Sequence, residues 1–145
     1  MSSLGIVIVN YNSTDYLQRC LESLFGQPST TPLHTVVVDN ASDDQDFSKL
    51  ERAFPDVHFI LNEENRGFSV ACNQGLRYRT ADFYLLLNPD CVVKDGAIDR
   101  TFDYLAQQPW IGIVGCRVNN PDGKLQLACR RRIPRPSVAL GKLFG

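Results

Sequence analysis

The sequence lacks any apolar run near the roughly 18 residues that a membrane span requires, so we expect no transmembrane helix. Its N-terminus has neither the basic region nor the small-residue cleavage site of a secretory signal. Its five cysteines are widely spread and form no CxxC pair, which argues against a disulfide framework and against a zinc site. We therefore expect reduced thiols and a cytoplasmic location.

A charge excess and the two best-known phosphate-binding motifs are absent as well. The formal net charge of -1 provides no general attraction to nucleic acid or anionic membranes. Neither G-x-G-x-x-G nor G-x-x-x-x-G-K-[ST] occurs, which argues against a dinucleotide site and against a P-loop. The chain has 145 residues, of which 43% are hydrophobic and 21% charged, and this is typical of one globular domain with a real core.

Apolar runs of strand length alternate with helical patterns through the first ninety residues. Strands are predicted at 4–10, 34–40, 57–62 and 82–88, and helices at 14–26, 43–54, 67–78 and 95–107. Strands that are apolar throughout and separated by helices are typical of a parallel sheet covered on both faces. The sequence therefore predicts an α/β fold with right-handed crossovers.

The last third of the chain carries weaker signals. Residues 110–118 are predicted to form a fifth strand, with Trp110 in the core, and Pro121-Asp122-Gly123 is predicted to be the turn of a hairpin. The arginines at 130–132 are interpreted either as contacts for a diphosphate or anionic acceptor, or as a solvated strand end. The apolar stripe within 138–144 favours a continuation of the chain over a partner that covers it.

Each of the four predicted strands runs into Asn or Asp, at Asn10, Asp39, Asn62 and Asn88. In an open parallel sheet, ligands bind outside the carboxyl ends of the strands. Any one of these residues can serve only a local turn. For all four together we favour a binding edge lined with amides and carboxylates.

Two short segments at this edge are open to two interpretations. Asn65-Arg66-Gly67 precedes the third helix, where Gly67 permits close backbone approach and Arg66 can reach an anion; the alternative is a helix cap with a surface arginine. Asn88-Pro89-Asp90 ends the fourth strand either as a plain turn or as a metal and phosphate site.

Four segments together indicate a family. "IVIVNYN", "VVVDNASDD", "NRGFSVACNQG" and "LLLNPD", in this order, resemble the nucleotide-sugar half of family-2 glycosyltransferases of the GT-A fold. The likeness is strongest to the rhamnosyltransferase-like branch, which carries N-P-D where many relatives carry D-x-D, and it covers nearly all of the chain. The resemblance implies a nucleotide-sugar-binding GT-A lobe at 1–120, a mostly parallel sheet flanked by helices, with a hairpin and an incomplete start of the acceptor-side region at 121–145.

The resemblance implies an activity. A sugar, with rhamnose as a candidate, would pass with inversion from a UDP- or dTDP-sugar to an acceptor hydroxyl in cell-surface polysaccharide or glycan synthesis. Mg²⁺ or Mn²⁺ would neutralise the leaving diphosphate, because such hard cations bind through one or two protein carboxylates, phosphate oxygens and water. By the same resemblance Asp90 would be the metal ligand; the structural alternative is that it caps the following segment.

The resemblance also assigns the nucleotide-binding residues. Asp39 would accept the N3–H of uracil or thymine, Asn88 would contact the sugar or ribose, and helix capping is the alternative for Asp39. The full set is Asn10, Tyr11 and Asn12 at the nucleoside, Asp39 at the base, Asn65, Arg66 and Gly67 beside the ribose and diphosphate, and Asn88.

No catalytic residue is assigned in this chain, because the family's general base is a carboxylate expected in its C-terminal half. The alternative function is therefore a catalytically incomplete nucleotide-sugar-binding module. A nucleotidyltransferase is disfavoured, since "NYNST" replaces the Gly-rich basic loop expected after strand one, and a generic α/β domain would bind no pyrimidine nucleotide. Expected partners are the donor and a glycan or lipid-linked acceptor, with no nucleic acid. Peripheral contact at the inner face of the membrane and a homodimer are left open.

Overall fold

The structure, a computed structural model, describes residues 2–43 and 47–129. Strands and helices alternate as predicted, with boundaries within a few residues of the expected ones; the predicted start of the second helix includes residues 44–46, which lie outside the described part. The elements are β1 (Leu4–Asn10), α1 (Thr14–Phe25), β2 (Leu33–Asp39), α2 (Phe47–Ala53), β3 (His58–Leu61), α3 (Phe68–Tyr78), β4 (Phe83–Leu87), α4 (Ala97–Ala106) and a 3-10 turn (Leu127–Cys129).

The four strands form one sheet in the order β3-β2-β1-β4, and every neighbouring pair is parallel. In this register Asn10 lies opposite Asp39, and Ile8 lies opposite Leu87. All four carboxyl ends therefore meet at one edge, and the loops that follow β1 and β2 are direct neighbours.

The main core lies between one face of the sheet and the helices α1 and α2. Its strand residues come from alternate positions of β1, because successive side chains of a strand point to opposite faces. The buried members are Leu4, Ile6, Ile8, Leu17, Cys20, Leu21, Leu24, Val37, Phe47, Leu50 and Val57.

On the other face, α3 lies very close to the sheet. Val36, Val38 and Ala71 form the buried cluster there. A β-carbon added at Gly75 would collide with Cγ1 of Val7, so only glycine permits this approach of α3 to β1. The short distance matters for function because the loop that starts α3 lies at the carboxyl edge of the sheet.

The edge strand β4 is covered less completely than β1 and β2. Phe83, Leu85 and Leu87 pack against the main core, whereas Tyr84 and Leu86, which point the other way, are 40% and 51% exposed. The expectation of a sheet covered on both faces therefore holds for β1 and β2 but not for β4 within the described residues.

The prediction of a fifth strand was wrong. Within the described part of the chain, residues 110–118 form no strand, and Trp110, expected in the core, is 77% exposed. Ile113 is 91% exposed. An apolar run becomes a buried strand only where a neighbouring strand and a covering layer are available, and β4 pairs only with β1 among the described strands.

The chain divides into two compact units, residues 1–113 and 114–145. In the second unit the predicted turn is confirmed: Gly123, at φ 80°, donates its N–H to the Asn120 carbonyl at 2.9 Å, and Asn119 bridges Leu125 in an antiparallel pair. The arginines at 130–132 and the apolar stripe within 138–144 lie outside the described residues.

Candidate functional site

The ends of β1 and β2 are joined by a buried polar contact. Asn10 and Asp39 both have no exposed surface, and the Asn10 Nδ2 donates to Asp39 Oδ1 at 2.9 Å. The other end of the amide, Asn10 Oδ1, is buried and accepts no hydrogen bond from any described residue. An unsatisfied buried carbonyl is costly, so a donor that reached it would find a favourable partner.

Ser42 completes the hydrogen bonding of the Asp39 carboxylate. Its N–H donates to Asp39 Oδ2 at 2.9 Å and its hydroxyl donates to Asp39 Oδ1 at 2.5 Å. To turn back in this way the chain places Ala41 at φ 65°, a left-handed conformation that side chains other than Gly, Asn and Asp rarely adopt. Both oxygens of Asp39 are thus engaged by the protein itself.

Asn12 connects the loop after β1 to the loop after β2. Its N–H donates to the Ser42 hydroxyl at 2.8 Å, and its Oδ1 accepts the Asp43 N–H at 2.8 Å. Asn12 also has a left-handed backbone, at φ 50°, which asparagine tolerates well. Its neighbour Tyr11 is 48% exposed and offers an aromatic ring at the surface of this edge.

The loop that precedes α3 is exposed and begins beside β2. Asn65 Oδ1 accepts the Gly67 N–H at 2.9 Å, and Gly67 has φ 77° with open space where a β-carbon would be. Arg66 makes an exposed ion pair with Glu64, with Nε and Oε1 3.5 Å apart. The arginine is therefore a surface cation at the edge of the sheet, next to a glycine with no side chain to block approach.

The segment after β4 is the most open part of the edge. Asn88 and Asp90 are both exposed, and the Asn88 carbonyl accepts the Cys91 N–H at 3.2 Å and the Cys20 thiol at 3.7 Å. Burial raises the pKa of Cys20 to about 12, so this thiol remains a protonated donor. The Asp90 carboxylate accepts a long contact, at 3.9 Å, from the Cys91 thiol.

The residues were tested for their fit to a divalent cation at the segment after β4. Among residues 2–43 and 47–129, no three His, Cys, Asp or Glu side chains are grouped closely enough to hold a metal ion. Asp90 supplies one hard, exposed oxygen ligand there. Mg²⁺ often binds through one or two carboxylates when phosphates and water complete its octahedron, so the arrangement suits a cation shared with a diphosphate.

Three further residues at this edge were assigned no role from the sequence. Ser42 saturates Asp39, while Asn40 and Gln74 join a network of amides with Asn62 and Asn65. A serine three residues after a strand-ending aspartate is a pattern typical of local side-chain turns, and it could have indicated the Ser42 contact. Gln74 offers no such signal, because its partner Asn62 is reached only through the fold.

The predicted site residues thus lie at one edge of the sheet in three groups, of which the loop at Asn65, Arg66 and Gly67 is held by Asn40. Asn10, Asn12 and Asp39 are linked through Ser42, whereas Asn88 and Asp90 follow the neighbouring strand β4 on the other side of β1. The sequence profile of Glycosyl transferase family 2 matches residues 5–141. The chain belongs to glycosyl transferase family 2.

The chain is also similar, at low sequence identity, to curated proteins that act in glycan and teichoic acid synthesis by their names. The chain is 26% identical over 149 residues to an N-acetylglucosaminyl-diphospho-decaprenol L-rhamnosyltransferase of Mycobacterium tuberculosis, covering 95% of this chain and 47% of the relative. It is 30% identical over 94 residues to a teichoic acid poly(glycerol phosphate) polymerase of Staphylococcus epidermidis, covering 62% of this chain and 13% of that protein. The chain thus spans 47% of the rhamnosyltransferase, about half its length.

Solved structures place this family-2 chain in the GT-A fold. A mannosyltransferase of Pyrobaculum calidifontis, solved with GDP-Man and Mn²⁺, superposes with a TM-score of 0.72 at 26% identity, over 83% of this chain and 36% of that one. TarS of S. aureus gives a TM-score of 0.64 at 22% identity, over 74% and 33% of the two chains, and so supports the fold alone. The predicted fold class is confirmed.

The described helices of this chain are short relative to a bilayer span. Within residues 2–43 and 47–129, none is both long enough and apolar enough to cross a membrane.

Proposed function

We propose that this chain is the nucleotide-sugar-binding part of an inverting glycosyltransferase that takes a UDP- or dTDP-sugar. Rhamnose is the sugar that the similarity to the mycobacterial rhamnosyltransferase favours. The acceptor would be a glycan or a lipid-linked glycan in cell-surface polysaccharide synthesis, at the inner face of the membrane. The observation that carries the proposal is the gathering of Asn10, Asp39, Arg66 and Asp90 at the carboxyl edge of one parallel sheet in a family-2 chain.

The reaction requires that negative charge on the leaving diphosphate be stabilised. The acceptor oxygen forms a bond to the anomeric carbon while the bond from that carbon to the diphosphate oxygen breaks, and the acceptor proton passes to a general base. A divalent cation held by Asp90, when bound, would supply electrostatic stabilisation of the departing diphosphate. Arg66 would add a second positive charge, and the Gly67 backbone would permit close approach of the phosphates.

The nucleoside would lie against the loops that follow β1 and β2. Tyr11, Asn12 and Asn65 are exposed and can meet the base or ribose without rearrangement. Asp39 has no exposed surface, so its proposed hydrogen bond to the base N3–H requires the Ser42 loop to yield or the base to enter beside it. Asn10 Oδ1, the unsatisfied acceptor next to Asp39, would gain a partner if the base entered there.

We assign no residue of this chain as the general base. A nucleotide-sugar-binding module without transfer activity is therefore the second candidate, and the exposed, lightly bonded Asp90 is compatible with both. Transfer or donor hydrolysis measured with UDP- and dTDP-sugars distinguishes them: the enzyme releases the nucleoside diphosphate, whereas the module binds the donor and releases none.

The binding part of the proposal is tested by thermal unfolding with UDP, dTDP and GDP, each with and without Mg²⁺ or Mn²⁺. At a ligand concentration of about 100 Kd the stabilisation is about 2.7 kcal/mol, which corresponds to a rise in Tm on the order of 5–10 °C. We expect a pyrimidine diphosphate with metal to produce this rise, and Asp90→Ala to lose its metal-dependent part.

A matched control is Asp56→Ala, which removes an exposed carboxylate just before β3, at the opposite end of the sheet. This variant should keep the whole rise in Tm. An unchanged metal-dependent rise in Asp90→Ala would remove Asp90 as the ligand, and no rise with either pyrimidine diphosphate in the unmodified protein would contradict the proposed function.

A further inference from the structure

Asn40, directly after β2, uses both ends of its side-chain amide inside the protein. Its Oδ1 accepts the Arg66 backbone N–H at 3.1 Å and the Asn62 Nδ2 at 3.1 Å. Its Nδ2 donates to Asn65 Oδ1 at 2.7 Å. Only 3% of Asn40 is exposed, so its own amide is enclosed and is costly to leave without hydrogen-bond partners, although Asn65 and Arg66 reach it from an exposed loop.

The backbone of Asn40 is itself fixed by the sheet. Its N–H donates to the Asn10 carbonyl at 2.8 Å, which extends the β1–β2 pairing by one bond beyond the strands. The side chain therefore starts from a rigid position. The side chain of Asn40 therefore fixes the groups that it binds at a defined place relative to the sheet edge.

What Asn40 binds is a loop with little other support. Residues 63–67 are exposed, and the N-cap residue of α3, Gly67, provides no side-chain hydrogen bond to the helix. Asn65 Oδ1, which accepts the Asn40 amide, also accepts the Gly67 N–H at 2.9 Å. The bonds from Asn40 therefore hold Asn65 and the Arg66 backbone against the end of β2, and the local turn adds Gly67.

A second pair of amides holds the network from the helix side. Asn62 and Gln74 exchange two hydrogen bonds, with Nδ2 to Oε1 at 3.0 Å and Nε2 to Oδ1 at 2.9 Å. Gln74 lies in α3 next to Gly75, which packs against β1. Asn40 is therefore an inner member of a chain of four amides, Gln74–Asn62–Asn40–Asn65, that joins α3, the end of β3 and the loop before α3.

We propose that Asn40 is a positioning residue that holds the Arg66-Gly67 backbone in place for the donor diphosphate. This inference rests on the proposed function. Ordering the loop during folding removes a cost that would otherwise fall on binding, since a loop that must be ordered by its ligand weakens affinity. Asparagine suits the position because it has both a donor and an acceptor, whereas aspartate lacks the donor.

The experiment compares Asn40→Ala and Asn40→Asp with the unmodified protein by titration calorimetry, using UDP and uridine at a fixed Mg²⁺ concentration. We expect Asn40→Ala to weaken UDP at least 10-fold while uridine binding changes less than twofold, because only UDP reaches the diphosphate loop. Asn40→Asp keeps the acceptor for the Arg66 N–H and should recover part of the loss. Asn73→Ala, which removes an exposed amide of α3 next to Gln74, should change neither affinity.

Two measurements separate positioning from a general loss of structure. In Asn40→Ala, amide hydrogen exchange should accelerate at Arg66 and Gly67 while the amides of β1 and β2 stay protected. In a double-mutant cycle with Arg66→Ala, the Asn40→Ala loss of UDP affinity should shrink, because Asn40 acts through that segment.

Equal weakening of UDP and uridine, unchanged exchange at residues 66 and 67, or full additivity with Arg66→Ala would each overturn the proposal. If the unmodified protein binds no nucleotide, the proposed function fails, and hydrogen exchange still decides whether Asn40 holds the loop.

Discussion

The carboxyl edge of the sheet has a buried side, at the ends of β1 and β2, and an exposed side, after β4. Each side carries one aspartate of the segments that resemble family-2 glycosyltransferases, Asp39 and Asp90. At the end of β1 and β2, Asp39 is fully buried and its two oxygens accept three hydrogen bonds. After β4, Asp90 is exposed and its carboxylate accepts a long contact from the Cys91 thiol. Two residues of the same type at the same edge thus differ in access. Asp39 is enclosed and joins two loops, so a base reaches it only if the Ser42 loop yields or the base enters beside it, whereas Asp90 is open to solvent.

The largest expected effect is the loss of stability when the buried carboxylate of Asp39 is removed. Asp39→Ala removes an acceptor of the buried Asn10 amide, the Ser42 N–H and the Ser42 hydroxyl, so we expect the free energy of unfolding to fall by about 2–4 kcal/mol. Asp90→Ala, at an exposed position, should change it by less than about 0.5 kcal/mol. Urea denaturation of both variants checks the difference, and similar losses for the two would contradict the comparison.

A smaller loss of stability is expected where α3 packs against β1 at Gly75. Gly75→Ala inserts a methyl group against Val7, so the free energy of unfolding should decrease by about 1–3 kcal/mol despite the better helix propensity of alanine. The matched control Ser69→Ala, at an exposed position of the same helix, should stay within about 0.5 kcal/mol.

The contact with Val7 is tested by a double variant. Val7→Ala removes the methyl groups that the alanine of Gly75→Ala would meet. The double variant should therefore lose less stability than the sum of the two single losses. Strict additivity of the two losses in urea denaturation would show that the alanine at position 75 does not contact Val7.

The smallest expected effect concerns the left-handed backbone of Ala41, in the turn that brings Ser42 to Asp39. Ala41→Gly removes the cost of a left-handed alanine but raises the entropy of the unfolded chain, so the net gain should be between about 0 and 1 kcal/mol. Ala41→Val should have the opposite sign, because a β-branched residue fits this conformation worst. Thermal unfolding measures both, and a stability loss in Ala41→Gly would show that the left-handed turn is not maintained.

Much of the fold could be predicted from the sequence because its signals are local. The run Leu4–Asn10 is apolar and β-branched, and Leu17, Cys20, Leu21 and Leu24 recur at helical spacing, so β1 and α1 were predicted within a residue or two. The segment at 110–118 carries the same kind of apolar signal, yet it forms no strand among the described residues. Composition reports that a segment is apolar, but pairing depends on what the fold brings beside it.

The site could be predicted only in part. The strand-end residues Asn10, Asp39 and Asn88 were placed at one edge because parallel strands with helical crossovers bring their carboxyl ends together. Their surroundings were not predictable, since Ser42 and Asn12 meet only through a left-handed turn at Ala41. Gln74 meets Asn62 across α3, twelve residues apart, and no local pattern indicates that pair.

The order of strands and helices, the parallel sheet and the line of amides and carboxylates at its edge follow from the sequence alone, because each depends on side-chain periodicity and on residues that end a strand. The division of that edge into a buried network and an exposed carboxylate was decided by the tertiary structure. Burial and hydrogen-bond partners depend on which loops lie side by side: the neighbouring β1 and β2 enclose Asp39, whereas β4, at the edge of the sheet, leaves Asp90 open to solvent.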